Sequence, residues 1–167
     1  MPVTPPTPTK TIKPYRPRKP ADQLSPRSVG TYGVWERKKA AGMCPTCSSG
    51  VPLPELAHLR WPLCEKCYFG RLARSRLGGS DKGPAIKRKL EDQSYRCAYS
   101  GIQLVLGSNA TLDHILPVSS HPELRNDLDN IEWVDKHVNE MKWSMTPDEF
   151  RDLLVGILGH RWGLRVR

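Results

Sequence analysis

The stretch that decides the fold is ATLDHILPVSSHPELRNDLDNIEWVDKHVNEMKW, residues 110–143. ATLDHIL (110–116) and IEWV (131–134) are β-type runs. A third such run, IQLVL (102–106), precedes ATLDHIL and is joined to it by a Gly-Ser-Asn turn. DKHVNEMKW (135–143) follows directly and is predicted as one helix with Asp135 as its N-cap. The stretch therefore sets polar residues at the ends of predicted strands and on the helix that follows them.

Four of these polar residues form a set that suits phosphodiester cleavage. Asp113 and His114 end one β-type run, Asn130 precedes the next, and Asn139 lies nine residues beyond Asn130. A carboxylate and an amide oxygen can bind a hard divalent cation and leave room for phosphate and water. A neutral imidazole near pH 7 can take a proton from that water, while the cation neutralises charge on the phosphate and the leaving 3′-oxygen.

The same residues also have ordinary structural interpretations. A lone His is more often structural than catalytic, Asn130 could cap a turn, and Asn139 could be a solvated helix residue. Helix geometry separates the candidates on the last helix, because at 100° per residue His137 lies about 200° around the helix from Asn139. His137 falls nearer the apolar face, whereas Asn139 shares a polar face with Lys142. We favour Asn139 as a metal ligand, with His137 as the alternative.

Residues 95–143 resemble the HNH nuclease domain, which has the ββα-metal fold. The motifs that carry the resemblance are LDHILP (112–117), DNIEWV (129–134) and HVNEMK (137–142). The resemblance implies that His114 is the general base and that Asn130 fixes the loop and orients this base. It also implies that Asp113 and Asn139 are the protein ligands of one catalytic Mg²⁺ or Mn²⁺ ion, and that the products carry 5′-phosphate and 3′-hydroxyl ends.

The chain departs from the family in one respect. Many HNH domains hold a zinc ion inside the fold between two C-x2-C pairs. Here Cys97 is followed three residues later by Ser100, and Asp135 and Val138 stand at the two later positions. No zinc is therefore expected inside the nuclease fold, and Cys97 is expected to be a small buried apolar residue.

A separate four-cysteine unit precedes this region. Its ligands are two C-x2-C pairs separated by sixteen residues: Cys44, Cys47, Cys64 and Cys67. Two such turns can complete a tetrahedron of thiolates about Zn²⁺, so we expect a structural zinc ion that folds a small module. The unit resembles the short zinc module that precedes HNH domains in some phage and mobile-element nucleases. The fold class expected for the whole chain is α+β, a small zinc-bound module followed by a ββα-metal HNH fold with an added C-terminal helix.

The C-terminal helix has a strong start signal at Thr146-Pro147-Asp148-Glu149, an N-cap followed by Pro and a capping-box Glu. A stripe of apolar residues then repeats at helical spacing: Phe150, Leu153, Leu154, Ile157 and Leu158. We interpret this stripe as core packing. Shorter helices are predicted at 31–42, with Gly42 as its stop, and at 84–92.

Positive charge dominates before residue 96, and 26 Lys and Arg against 17 Asp and Glu give a net charge of +9. This balance favours a polyanionic partner, nucleic acid ahead of a membrane surface. Residues 1–30 hold half of the prolines and are predicted as a disordered basic arm, either a solubilising tail or a phosphate-contacting one. The candidate nucleic-acid contacts are Arg71, Arg74, Arg76, Lys87, Arg88, Lys89 and Lys142.

The expected organisation is the arm, a zinc module at 31–77, a basic linker at 78–94 that opens with a flexible Gly-Gly-Ser joint, and a nuclease domain at 95–167. We expect a DNA endonuclease that cuts or nicks duplex DNA, acting alone, with a second copy or with a recruiting protein. The alternative is a non-catalytic, zinc-dependent nucleic-acid-binding protein. Neither an apolar run of about 18 residues nor a secretory signal is present, which favours the cytoplasm of a prokaryote or phage-infected host over a membrane.

Overall fold

The computed structural model describes residues 26–164, with side chains from residue 30 onwards. Most of the predicted basic arm lies outside the described residues. The helices are α1 (Pro26–Ala40), α2 (Glu65–Leu77), α3 (Gly83–Asp92), α4 (Lys136–Lys142) and α5 (Pro147–Trp162). The strands are β1 (Ala110–His114) and β2 (Ile131–Asp135), and short 3-10 turns cover Pro54–Leu56, Ser80–Lys82 and Pro122–Leu124. The described residues thus form an α+β protein, as the sequence predicts.

The first helix begins earlier than its predicted residue 31. It starts at Pro26, where the fixed backbone angle of proline suits the first turn of a helix and its missing N–H is not needed. It ends at Ala40, and the predicted stop, Gly42, has a φ of 67°, the left-handed conformation that commonly follows a helix. The last residues assigned to the arm therefore belong to this helix.

The two strands form one antiparallel hairpin. Asp113 lies opposite Glu132, and His114 lies opposite Ile131. The predicted third strand at 102–106 is wrong, because these residues make a single bridge, Arg96 to Gln103, and no ladder. Leu104 and Leu106 are nevertheless buried. Ile102 and Val105 of the same run are exposed, and the β-type composition carried no information about a strand partner.

The segment 78–94, predicted as a linker, contains a core helix. Ile86 and Leu90 of α3 are fully buried, and the indole Nε1 of Trp133 on β2 donates to the carbonyl of Ile86 at 2.7 Å. The side chain of Gln93, directly after α3, adds two hydrogen bonds to the backbone of β2. It accepts from the N–H of Trp133 at 2.9 Å and donates to the carbonyl of Trp133 at 2.8 Å. The sequence analysis predicted a helix at 84–92, and the i, i+4 spacing of Ile86 and Leu90 was the available signal that this helix has a buried face, which the basic composition obscured.

Helices α2 and α3 pack so closely that a glycine is needed between them. A Cβ at Gly83 would lie 2.9 Å from the backbone nitrogen of Gly70. Phe69 of α2 meets Trp133 edge to face at 6.1 Å between ring centroids. The cysteine-bearing region, α3 and the hairpin therefore share one hydrophobic core.

The C-terminal helix differs from its prediction in how it packs. Its capping box is present as predicted, with Thr146 as the N-cap and Glu149 as its partner. Only Phe150 is buried, and it contacts Tyr99 at 5.6 Å between ring centroids. Leu153 and Ile157 are 43% and 41% exposed, so most of the predicted core stripe is not covered by the described residues. Helical periodicity identified an apolar face, but it does not say which surface covers it.

Within residues 26–164, no helix combines the length and the apolar character that crossing a membrane requires.

Candidate active site and candidate metal centre

The end of β1 and the end of α4 are joined by a buried ion pair. Lys142 is 1% exposed, and its ammonium donates to Asp113 Oδ2 at 2.9 Å and to the backbone carbonyl of His114 at 3.0 Å. Asp113 is also buried, at 8% exposed. The charge of Lys142, which the sequence analysis selected as a nucleic-acid contact, is therefore satisfied inside the protein. A basic residue in a helix does not reveal which side of the helix its ammonium reaches.

Helix α4 reaches β1 because it starts directly where β2 ends. Asp135, the predicted N-cap, accepts from the N–H of His137 at 2.8 Å, and Asn109 donates to its second oxygen at 2.8 Å. These hydrogen bonds hold the pKa of Asp135 below its usual range, although partial burial opposes the shift. With no loop between strand and helix, α4 packs against both strands of the hairpin.

His114 is half-buried beside Asp113, and its imidazole is fixed by the loop between the strands. Its Nε2 lies 3.0 Å from the carbonyl oxygen of Arg125. Because a carbonyl can only accept, this contact assigns the hydrogen to Nε2 and leaves the lone pair on Nδ1. The neutral ring therefore presents Nδ1 as a base.

Asn130 closes the loop that follows His114. It is 5% exposed, and its Oδ1 accepts from the N–H of Leu116 at 2.8 Å, while its Nδ2 donates to the carbonyls of Leu116 at 3.1 Å and Leu124 at 3.5 Å. A backbone bond from Ile115 to the carbonyl of Asn130 adds a further link, at 3.0 Å. The loop beside the imidazole is thus tied to the start of β2 by one buried amide.

The two ligand candidates on α4 have different surroundings. The side chain of His137 is 71% exposed and lies 3.7 Å from Glu140, a surface contact. Asn139 lies one helical turn before Lys142, on the side of α4 that neighbours the Asp113 contact. Among the described residues, no hydrogen bond engages the Asn139 side chain. Its amide oxygen is therefore available to a ligand.

Glu132 is a site residue that the sequence analysis missed. It lies directly opposite Asp113 in the hairpin, so both side chains leave the same face of the sheet. Its Oε1 is buried and has no hydrogen-bond partner among the described residues. Burial raises the pKa of Glu132, and the nearby Asp113 adds to that effect; burial and Glu132 likewise raise the pKa of Tyr99. Only the strand register, which the sequence does not state, identifies this neighbour.

The four predicted zinc ligands form a cluster, the cysteine cluster, of Cys44, Cys47, Cys64 and Cys67. Their sulfur atoms all lie within 4.8 Å of one another, and the Sγ atoms of Cys47 and Cys64 are 3.6 Å apart. A thiolate tetrahedron with metal–sulfur bonds of about 2.3 Å has edges of about 3.8 Å, so the spacing fits one zinc-sized ion. All of these cysteines are free, as is the buried Cys97. The cluster is therefore positioned to bind a metal ion.

Local structure explains how these thiols converge. The N–H of Cys44 donates to the carbonyl of Gly50 at 2.8 Å, which closes the first turn, and Cys64 is the N-cap of α2, so Cys67 lies in its first turn. A Cβ at Gly50 would lie 2.6 Å from Cys64 Sγ, so this position has room only for glycine. Hydrogen bonds from Ser49 lower the pKa of Cys47 to about 5, whereas burial raises the pKa of Cys67.

The predicted nucleic-acid contacts are only partly free. Arg71, Arg74, Arg76 and Arg88 are exposed, and Lys89 is half-buried. Lys87 already pairs with Glu65 at 2.9 Å and Glu91 at 3.5 Å, and the Glu65 contact raises its pKa. A groove beside Cys67 is lined by Arg71, Arg74 and Lys66, a residue that the sequence analysis did not select. The exposed positive charge therefore lies next to the cysteine cluster.

No protein-family model matches this chain, and no curated protein matches it significantly. The interpretation of the site therefore depends on the geometry of the chain itself. That geometry defines an α+β protein with a cluster of four cysteines able to bind a metal ion, and with a second polar site where β1 meets α4.

Proposed function

We propose that this protein is a metal-dependent DNA endonuclease of the HNH type, which hydrolyses a phosphodiester bond to leave 5′-phosphate and 3′-hydroxyl ends. The observation that carries the proposal is the adjacency of Asp113 and His114 at the end of β1, in a hairpin against which α4 packs. The order strand, strand, helix supports the ββα assignment, and the bonds from Asn130 to the loop after His114 support the role given to this residue.

In this proposal His114 is the general base. Its Nε2–H is engaged by the carbonyl of Arg125, so Nδ1 takes a proton from a water molecule near the phosphate. Asn130 keeps the loop that carries Arg125 in place and so maintains the orientation of the imidazole. The rate contribution of a positioned base of this kind is typically about 10²- to 10⁴-fold.

The oxygen donors available fit a hard divalent cation. Asp113 Oδ1 and the Asn139 amide have no hydrogen-bond partner among the described residues, and such oxygens are typical ligands of Mg²⁺ and Mn²⁺. When bound, the cation supplies positive charge for the phosphate and the leaving oxygen. Lys142 holds the other oxygen of Asp113 and thereby orients the carboxylate.

The cysteine cluster and the exposed arginines would serve folding and binding. We propose that the cluster holds a structural Zn²⁺, because four thiolates at this spacing are typical of closed zinc sites. The basic groove beside it would bind the DNA backbone. A cytoplasmic location is part of the proposal, since thiols stay reduced there.

A second candidate is a non-catalytic nucleic-acid-binding protein, or a nuclease subunit that a larger complex recruits. One observation favours it, because the ammonium of Lys142 already neutralises Asp113. A carboxylate satisfied in this way has less need of a cation. The two candidates differ in whether the purified chain cuts DNA by itself.

The test is incubation of the purified protein with supercoiled plasmid and Mg²⁺ or Mn²⁺, with and without EDTA. We expect nicking that EDTA abolishes, and loss of nicking in His114→Ala with unchanged thermal stability and DNA binding. If neither ion supports cleavage while DNA still binds, the binding-protein candidate is favoured. Cleavage by His114→Ala at the wild-type rate would reject the proposed base.

A paired comparison tests the metal ligand. Asn139→Ala should reduce nicking about 100-fold or more, because loss of a side chain that merely supports a metal ligand already costs 10- to 100-fold. His137→Ala should change the nicking rate less than about threefold. The measurement is the initial nicking rate as a function of Mg²⁺ concentration. The reverse order of the two variants would assign the ligand to His137.

A further inference from the structure

The apolar stripe of α5 is the largest feature of the fold that the proposed function does not use. The helix has 16 residues, and only Phe150 is buried. Leu153 and Ile157, one turn apart on the same side, are 43% and 41% exposed, and Leu154 and Leu158 beside them are half-buried. The contact between Phe150 and Tyr99 fixes the first turn, while the rest of the stripe lacks cover from the described residues.

A helix of this kind needs a covering surface. Helices of this length obtain most of their stability from packing an apolar face, and contiguous exposed apolar side chains mark interaction surfaces. Phe150, Leu153 and Ile157 follow the a and d spacing of a helix pair, with Leu154 and Leu158 on the adjacent side. The face is therefore the right shape for another helix.

We propose that this stripe pairs with the same stripe of a second copy of the chain, as an antiparallel helix pair with two-fold symmetry. The charges of α5 support this choice. Its first turn carries Asp148 and Glu149, and its last turn carries His160 and Arg161. When two copies of the helix Pro147–Trp162 overlap completely in antiparallel orientation, residue 149 of one copy lies level with residue 160 of the other. Residue 148 lies level with residue 161.

The flanks of the helix agree with the same arrangement. Glu149 and His160 are eleven residues apart, which is about 20° around the helix at 100° per residue, so they share one flank of the stripe. A two-fold axis perpendicular to an antiparallel pair brings the same flank of both helices together. Glu149 then meets His160 of the second copy at both ends of the pair, whereas a parallel pair would bring Glu149 next to Glu149 and His160 next to His160.

An internal ion pair does not remove this complementarity. Arg151 binds Asp148 at 2.8 Å and Asp152 at 3.0 Å. One arginine among Asp148, Glu149 and Asp152 leaves the first half of the helix negative. The last turn, with its basic side chains, remains the complementary end.

The first experiment measures self-association of the full chain by sedimentation velocity, without DNA. We expect a concentration-dependent dimer below about 100 µM. Ile157→Glu should weaken this dimer about tenfold or more, because it buries a charge in the stripe. Val155→Glu is the matched control, since Val155 has similar exposure, 38% against 41%, but lies about 160° from Ile157 around the helix. A monomeric wild type, or equal losses in both variants, would overturn the proposal.

A charge exchange tests the antiparallel register. Glu149→Lys and His160→Glu each remove the complementary pair of side chains in a dimer of identical chains, so each variant should associate about tenfold or more weakly than wild type. An equimolar mixture restores opposite charges at both ends, and native mass spectrometry should detect dimers with one copy of each variant. Circular dichroism checks that both variants fold. Failure of the mixture to form mixed dimers would contradict the register, whether or not the protein cleaves DNA.

Discussion

At the scale of single residues, the ammonium of Lys142 connects the two elements of the candidate active site. It satisfies the carboxylate of Asp113 and also holds the backbone of His114. Glu132, opposite Asp113, places a second carboxylate on this face. The balance of these charges sets both the stability of the site and its response to pH.

Lys142→Met is expected to destabilise the protein by about 3–5 kcal/mol, because removal of one partner leaves Asp113 buried with an uncompensated charge. The measurement is the free energy of unfolding in urea, with the exposed Lys136→Met as control. Asp113→Asn combined with Lys142→Met should recover part of the loss, since neither charge then remains. A loss no larger than that of the control would show that the pair contributes little to stability.

Glu132 should make stability depend on pH. The pKa of Glu132 is raised in the folded protein. Its contribution to the free energy of unfolding is therefore fully present below the unfolded pKa of about 4.3 and is lost as pH rises through the folded pKa. Glu132→Gln, which stays neutral, should be more stable than wild type at pH 7 and should lose this part of the pH dependence. Urea unfolding from pH 4 to pH 7 measures it, with the exposed Glu55→Gln as control. If the free energy of unfolding of Glu132→Gln depends on pH as steeply as that of wild type, the raised pKa of Glu132 is contradicted.

At the scale of elements, the cysteine cluster brings the turns that precede α2 together with the first turn of this helix. Cys44 and Cys64 are buried with Leu56 and Leu63 in the shared core, and the four thiols of the cluster converge on one point. A metal ion would therefore supply folding free energy to this region. Helix α2 carries that effect into the shared core, because Phe69 and Ala73 are buried beside α3 and β2.

Cys64→Ser should lower the metal content from one ion per chain to a small fraction and reduce the melting temperature. Cys97→Ser is the matched control, because Cys97 is buried at 3% exposure but lies outside the cluster. It should retain the metal. Elemental analysis together with calorimetry measures both effects, and equal metal content in the two variants would reject the four-thiolate site.

At the scale of the whole molecule, the net charge of +9 predicts a binding equilibrium that is sensitive to salt. The logarithm of DNA affinity should fall linearly with the logarithm of salt concentration. Arg71→Ala and Arg74→Ala should each reduce the slope by about one, whereas Lys87→Ala, whose ammonium is ion-paired, should change it little. Fluorescence anisotropy at several salt concentrations measures the slopes. Equal effects of all three variants would place the binding surface elsewhere.

Local signals predicted many elements correctly. The Asp135 cap, the Thr146 capping box and the spacing of the cysteine pairs each depend on residues within a few positions, or on a turn whose geometry is local. Such features are encoded by short stretches of chain, because a hydrogen bond from a side chain to a nearby backbone group requires no tertiary contact.

Long-range contacts account for what pattern analysis missed. The helix predicted at 84–92 is part of the core because Trp133 packs on Ile86, and the ammonium of Lys142 points inward because Asp113 lies within reach. The strand register brings Glu132 opposite Asp113. The stripe on α5 is exposed because no other described element lies against it. Periodicity and charge specify which residues need a partner, whereas the partner itself depends on packing between segments far apart in the chain.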